Sequence, residues 1–161
     1  MKRRRIPLVE SKGILHFVQD DTRLQFIIMK IAHLGIAVRS LKESVPKFEK
    51  IFGVKPSEIE FVAEQKVNVQ KFHLENIDIE LLEGTSEDSP IYKFIEKKGE
   101  GIHHSSFEVE DIVKSLSEAK KSGIELINEV PTTGADDMLI AFFHPKSTNN
   151  VLIELTQHKK K

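Results

Sequence analysis

The chain has 161 residues, with 24 basic and 25 acidic side chains and a net charge of −1, so it is not a broadly basic nucleic-acid binder. It is 39% hydrophobic and 30% charged, enough apolar residue for a core and too much for a disordered chain. Cysteine is absent, which excludes disulfides, thiolate–metal centres and cysteine nucleophiles.

Residues 1–28 carry six basic and three acidic side chains, net +3, which leaves −4 for the remainder. The run Lys2–Arg5 is not followed by an uninterrupted apolar segment, because Glu10, Lys12, Asp20 and Asp21 intervene. This stretch reads as a disordered extension, or as a start placed upstream of Met29. The longest near-apolar run, Phe26–Ala32, contains Lys30 and falls far short of the roughly 20 residues of a membrane span. The cytoplasm is the default location.

From Met29 onward the chain repeats itself. The strand-like Ile31–Val38 (IAHLGIAV) returns as Ile102–Val109 (IHHSSFEV). Each copy is followed by a helical pattern: Leu41, Val45, Phe48 and Phe52 in the first, Ile112, Leu116 and Ala119 in the second. Gly53 and Gly123 then mark the helix ends. Strands follow at Val67–Leu74 and Ile77–Leu82, and again at Leu139–His144 and Val151–Thr156. Ser89–Lys97, with Pro90 near its start, predicts a short linking helix. The module is strand–helix–strand–strand–strand, twice. Module one covers about 29–84, the linker about 85–99 and module two about 100–158 of a single domain, 29–161.

Four residues occupy equivalent places in the two copies. His33 and His104 each lie five residues before the valine that ends the first strand, and Glu80 and Glu154 each sit in an Ile-Glu-Leu triplet on the last strand. Alternation sets Leu34, Ile36 and Val38 on one face and His33, Gly35 and Ala37 on the other. The same rule turns Glu80 and Glu154 away from the more apolar faces of their strands. Two imidazoles and two carboxylates on an open sheet face suit a hard-to-borderline divalent metal. His103 is expected toward the helix side or rim, His73 on an exposed strand face and His158 in a solvated tail. Asp136-Asp137 reads as a turn.

At these residues the chain resembles the vicinal oxygen chelate superfamily, and within it the methylmalonyl-CoA epimerases. The motifs are Ala32–Val38, Ile79–Glu83, Asp88–Ile91, Gly99–His104, His144–Ser147 and Val151–Leu155, in order and without large insertions. The resemblance implies an α+β fold in which two tandem βαβββ modules form a mixed, strongly curved sheet around a metal-binding cleft, with helices on the outer face. It carries over His33, Glu80, His104 and Glu154 as metal ligands, Glu154 as the catalytic acid–base, and Gln65 and Lys146 as substrate-binding residues. It implies epimerisation of (2R)- and (2S)-methylmalonyl-CoA through an enolate stabilised by a divalent metal. Co²⁺ is favoured, while Mn²⁺, Ni²⁺, Zn²⁺ or Mg²⁺ also suit, and the assembly implied is a homodimer. One departure stands out: Val69 occupies the position at which several members carry a glutamate proposed as a base, and it cannot take a proton. Rival readings are a glyoxalase I-like lyase acting on a thiol-hemithioacetal, an Fe(II) dioxygenase, and a non-catalytic ligand-binding module of the same fold.

Overall fold

The computed structural model describes residues 29–159; the expected extension at 1–28 lies outside the described residues. Strand β1 (Lys30–Ala37) leads into helix α1 (Leu41–Phe52). Ser40 caps that helix by accepting from the Glu43 amide at 3.3 Å, and Gly53 closes it at φ 71°, a left-handed conformation glycine adopts at little cost. Strands β2 (Glu60–Val62), β3 (Val67–His73) and β4 (Asp78–Gly84) complete module one. The linking helix α2 (Pro90–Lys98) follows, capped by Ser89. Module two repeats the order with β5 (Gly101–Glu108), α3 (Ile112–Lys121), β6 (Thr132–Thr133), β7 (Leu139–Phe143) and β8 (Ile153–Gln157).

All eight strands form one mixed sheet in the order β2-β3-β4-β1-β5-β8-β7-β6. The order is symmetric about its centre. In each module the first strand pairs in parallel with the last, β1 with β4 and β5 with β8. The modules meet where β1 and β5 pair antiparallel. The sheet curls far enough for its two ends to touch: Glu64 Oε2 accepts from the Thr133 amide at 3.3 Å, and the Glu60 carboxylate accepts from the Asp136 amide at 2.9 and 3.0 Å.

Alternation divides the apolar residues as the sequence predicts. Leu34, Ile36 and Val38 join Phe72, Ile79 and Leu81 beneath α1, whose Leu41, Val45, Phe48 and Phe52 cover them. Phe107, Val109, Ala141 and Leu155 make the equivalent outer core beneath Ile112 and Leu116 of α3. Helix α2 lies on the inner side, where Ile91 and Ile95 pack on Ala37, Val69 and Leu82.

Phe72 is fully buried, with the rings of Phe52 and Phe48 at 5.4 and 6.5 Å. Phe72→Ala is expected to destabilise the protein by about 3–5 kcal/mol, read by chemical denaturation.

Candidate functional site

The inner face of the curled sheet lines a cleft of about 340 Å³. Each inner row reaches it by strand alternation: His33 from β1, Val69 and Lys71 from β3, Glu80 and Leu82 from β4, His104 from β5, and Glu154 and Thr156 from β8. The four residues equivalent in the repeat therefore come together. His33 Nε2 lies 3.0 Å from His104 Nε2, 3.0 Å from Glu154 Oε2 and 3.5 Å from Glu80 Oε2. His104 Nε2 lies 3.8 Å from Glu154 Oε2. Glu80, His104 and Glu154 are buried, and His33 is nearly so.

His33 Nε2 is within hydrogen-bond distance of His104 Nε2, and the cluster offers more lone pairs than protons. Glu154 Oε2 is completely buried with no hydrogen-bond partner of proper geometry, despite its closeness to His33. Ser106, its register partner on β5, likewise leaves its buried hydroxyl unpaired. Unpaired polar atoms at such depth are costly. His33, His104 and Glu154 each offer one atom within 4.8 Å of the others, a spacing that a single ion can bridge. The donor set fits a divalent cation.

Local structure prepares both imidazoles. The β1–β5 register shifts between Gly35/Ile36 and Ile102/His104, so His103 is the extra residue of a bulge. His103 packs edge-on against Phe94 of α2, which lies on the inner side of the sheet, and its Nδ1 lies 2.9 Å from His104 Nδ1. Burial, reinforced by the neighbouring His104, pushes the His103 pKa down to about 3, so its ring is neutral and its bare Nδ1 can accept a hydrogen bond from a His104 Nδ1–H. That arrangement would leave His104 Nε2 bare toward the cleft. Gly35 lies directly beside the His104 ring. A Cβ there would meet His104 Nδ1 at 2.6 Å and Nε2 at 2.8 Å.

Burial alone would lower the His33 pKa, but the facing Glu154 and Glu80 carboxylates more than offset it and hold the pKa above its ordinary value. Burial lowers that of His104. For Glu154, burial would raise the carboxyl pKa, yet the two imidazoles win and hold it below the usual range.

The other sequence candidates divide. Gln65 lines the cleft. Val69 does too, as part of the apolar cluster against α2. Lys146 stands exposed in the short 3₁₀ turn Pro145–Ser147, outside the residues that line the cleft. Sequence reasoning missed Lys71. Its side chain is buried in the cleft, with Nζ 3.0 Å from Glu80 Oε1 and 2.5 Å from Asp136 Oδ2. The signal was its place two residues after Val69, on the same inward row. Asp136 does form a turn, at a left-handed φ of 52°, and that turn delivers its carboxylate to Lys71.

Gly35→Ala is expected to displace the His104 ring, costing about 1–3 kcal/mol in stability by denaturant titration. Proton and cation compete for His33 Nε2. Because the facing carboxylates raise the His33 pKa, that competition reaches to higher pH than for a free imidazole. Co²⁺ affinity is therefore expected to rise roughly tenfold or more from pH 6 to pH 8, with proton release seen by calorimetry in buffers of different ionisation enthalpy.

Comparison with known proteins identifies the family. Residues 32–142 match the sequence profile of the Glyoxalase/Bleomycin resistance protein/Dioxygenase superfamily. The chain is 38% identical over 130 residues to the uncharacterized protein YqjC of Bacillus subtilis, covering 81% of this chain and 93% of that one. It is 32% identical over 153 residues to the mitochondrial methylmalonyl-CoA epimerase of Homo sapiens, covering 94% of this chain and 87% of that one. Among solved structures, the S115T form of Streptomyces coelicolor methylmalonyl-CoA epimerase in complex with 2-nitronate-propionyl-CoA superposes with a TM-score of 0.74 at 30% identity, covering 80% of this chain and 93% of that one. With most of its length matched and the paired histidines and glutamates gathered in one cleft, the chain belongs to the glyoxalase/bleomycin resistance protein/dioxygenase superfamily, in the group of the methylmalonyl-CoA epimerases.

Proposed function

We propose that the protein interconverts (2R)- and (2S)-methylmalonyl-CoA. The observation that carries this reading is the convergence of His33, Glu80, His104 and Glu154 in one buried cleft, within a chain similar along most of its length to epimerases of that substrate. The hydrogen at C2 of methylmalonyl-CoA lies between a thioester carbonyl and a carboxylate. Its removal leaves an electron pair that spreads onto the thioester oxygen as an enolate. A divalent cation held by the four side chains would supply Lewis acidity toward that oxygen, and we assign Co²⁺ as the favoured ion.

The chain's own groups then do the proton work. Glu154, held ionised by the imidazoles around it, is suited to receive the C2 proton. Inversion needs a proton to return on the opposite face. Val69 holds none, so that proton comes from water or from another side chain in the cleft. Gln65 is placed to hydrogen-bond the acyl group. We keep Lys146 as a contact for the far end of the CoA ester, outside the cleft, where its exposed ammonium can meet a phosphate. A homodimer in the cytoplasm belongs to the same reading; no helix among the described residues is long and apolar enough to cross a membrane.

A glyoxalase I-like lyase would use a similar ligand set, but the relatives named above point to the acyl-CoA substrate. A purely ligand-binding module has no use for a buried, unpaired Glu154 oxygen. The test is incubation with methylmalonyl-CoA and Co²⁺ in D₂O, with deuterium at C2 followed by mass spectrometry. Exchange is expected at least roughly a hundredfold faster than with His104→Ala or Glu154→Gln. Equal rates would reject the epimerase, and turnover of a glutathione hemithioacetal would favour the lyase.

A further inference from the structure

Lys71 is 7% exposed, an unusual burial for an ammonium, and it is directly opposite Glu80 in the β3–β4 register. Its Nζ donates to Glu80 Oε1, while the other Glu80 oxygen faces His33 Nε2 at 3.5 Å. Its second partner comes from the other module: Asp136, 65 residues along the chain, sits at 2.5 Å. The Asp136 backbone is fixed in turn, because its amide donates to the Glu60 carboxylate.

The Lys71 ammonium therefore stands where it shares a carboxylate with the cleft's donor set. A carboxylate can ligate a cation through one oxygen or two. With Oε1 committed to Lys71, Glu80 has one oxygen left for an ion. Divalent ions of the hard and borderline classes commonly take six donors. Four single-oxygen or single-nitrogen ligands leave two places, enough for a substrate that binds through two oxygens, whereas a two-oxygen Glu80 would leave one.

We propose that Lys71 is a positioning residue of the cation site: it holds Glu80 to single-oxygen ligation and, through Asp136, anchors that ligand across the cleft. This rests on the reading that His33, Glu80, His104 and Glu154 hold a divalent cation, and it adds a group that the ligand set does not include.

The experiment is Co²⁺ titration of the full chain by calorimetry, with the visible absorption of the bound ion recorded alongside. Lys71→Met removes the competing cation and frees both Glu80 oxygens. It is expected to tighten Co²⁺ binding about tenfold and to shift the absorption band. Lys71→Arg is expected to restore both toward wild type. In a Glu80→Gln background, Lys71→Met is expected to leave the band unmoved, since the shared carboxylate is gone. An affinity within about twofold of wild type and an unshifted band in Lys71→Met would overturn the proposal. Should Lys71→Met fail to melt cooperatively, Asp136→Asn carries the test from the exposed end of the triad. Co²⁺ binding weakened roughly threefold supports the proposal, because the whole ammonium then falls to Glu80, and unchanged binding overturns it. A wild-type chain that binds no Co²⁺ rejects the cation site itself, an outcome distinct from binding that ignores Lys71.

Discussion

Three side chains, His33, His104 and Glu154, bring ligand atoms within 4.8 Å of one another inside the protein, with Glu80 beside His33, and the surrounding structure answers that crowding. Glu80 and Glu154 are both buried, each beside His33, and buried carboxylates are unfavourable unless positive charge lies between or beside them. Three sources serve: the raised pKa of His33, the ammonium of Lys71, and the divalent cation that the donor set fits. The first two belong to the chain and let it fold around an otherwise uncompensated site. The third would be stronger and would compete with them for the same oxygens and nitrogens.

Holding this arrangement falls to backbone details away from the charges. The glycine at 35 gives the His104 ring its berth on the neighbouring strand. The bulge at His103 sets two imidazoles side by side, one able to orient the other through facing Nδ1 atoms. Phe142 closes on His104 edge-on at 5.7 Å, so the ring is confined on several sides. Beneath the sheet, the apolar rows under α1 and α3 fix the strand faces, since a slip of one residue would bury His33 in the core and expose Leu34.

Much of this was legible in the sequence because the repeat supplied an internal alignment. A single histidine in Ile31–Val38 means little, but the same position refilled by His104, with glutamates matched on both last strands, identifies a set. Alternation then gave the faces correctly. The shortest strands were illegible: β2 has three residues and β6 two, too few for any period to show. Lys71 was missed for another reason. In Val67–Phe72 a lysine reads as solvated, and its burial depends on a carboxylate 65 residues away that no local pattern indicates. Lys146 was placed by motif alone, and a motif does not say which way a turn will face.

The symmetric strand order has a consequence for how the site exists at all. Each module brings one imidazole and one carboxylate, His33 with Glu80 and His104 with Glu154, and the central β1–β5 pairing sets the two halves face to face. Half of the chain thus carries one imidazole and one carboxylate of the four, and only part of the cleft. Completeness is a property of the pairing rather than of either sequence segment.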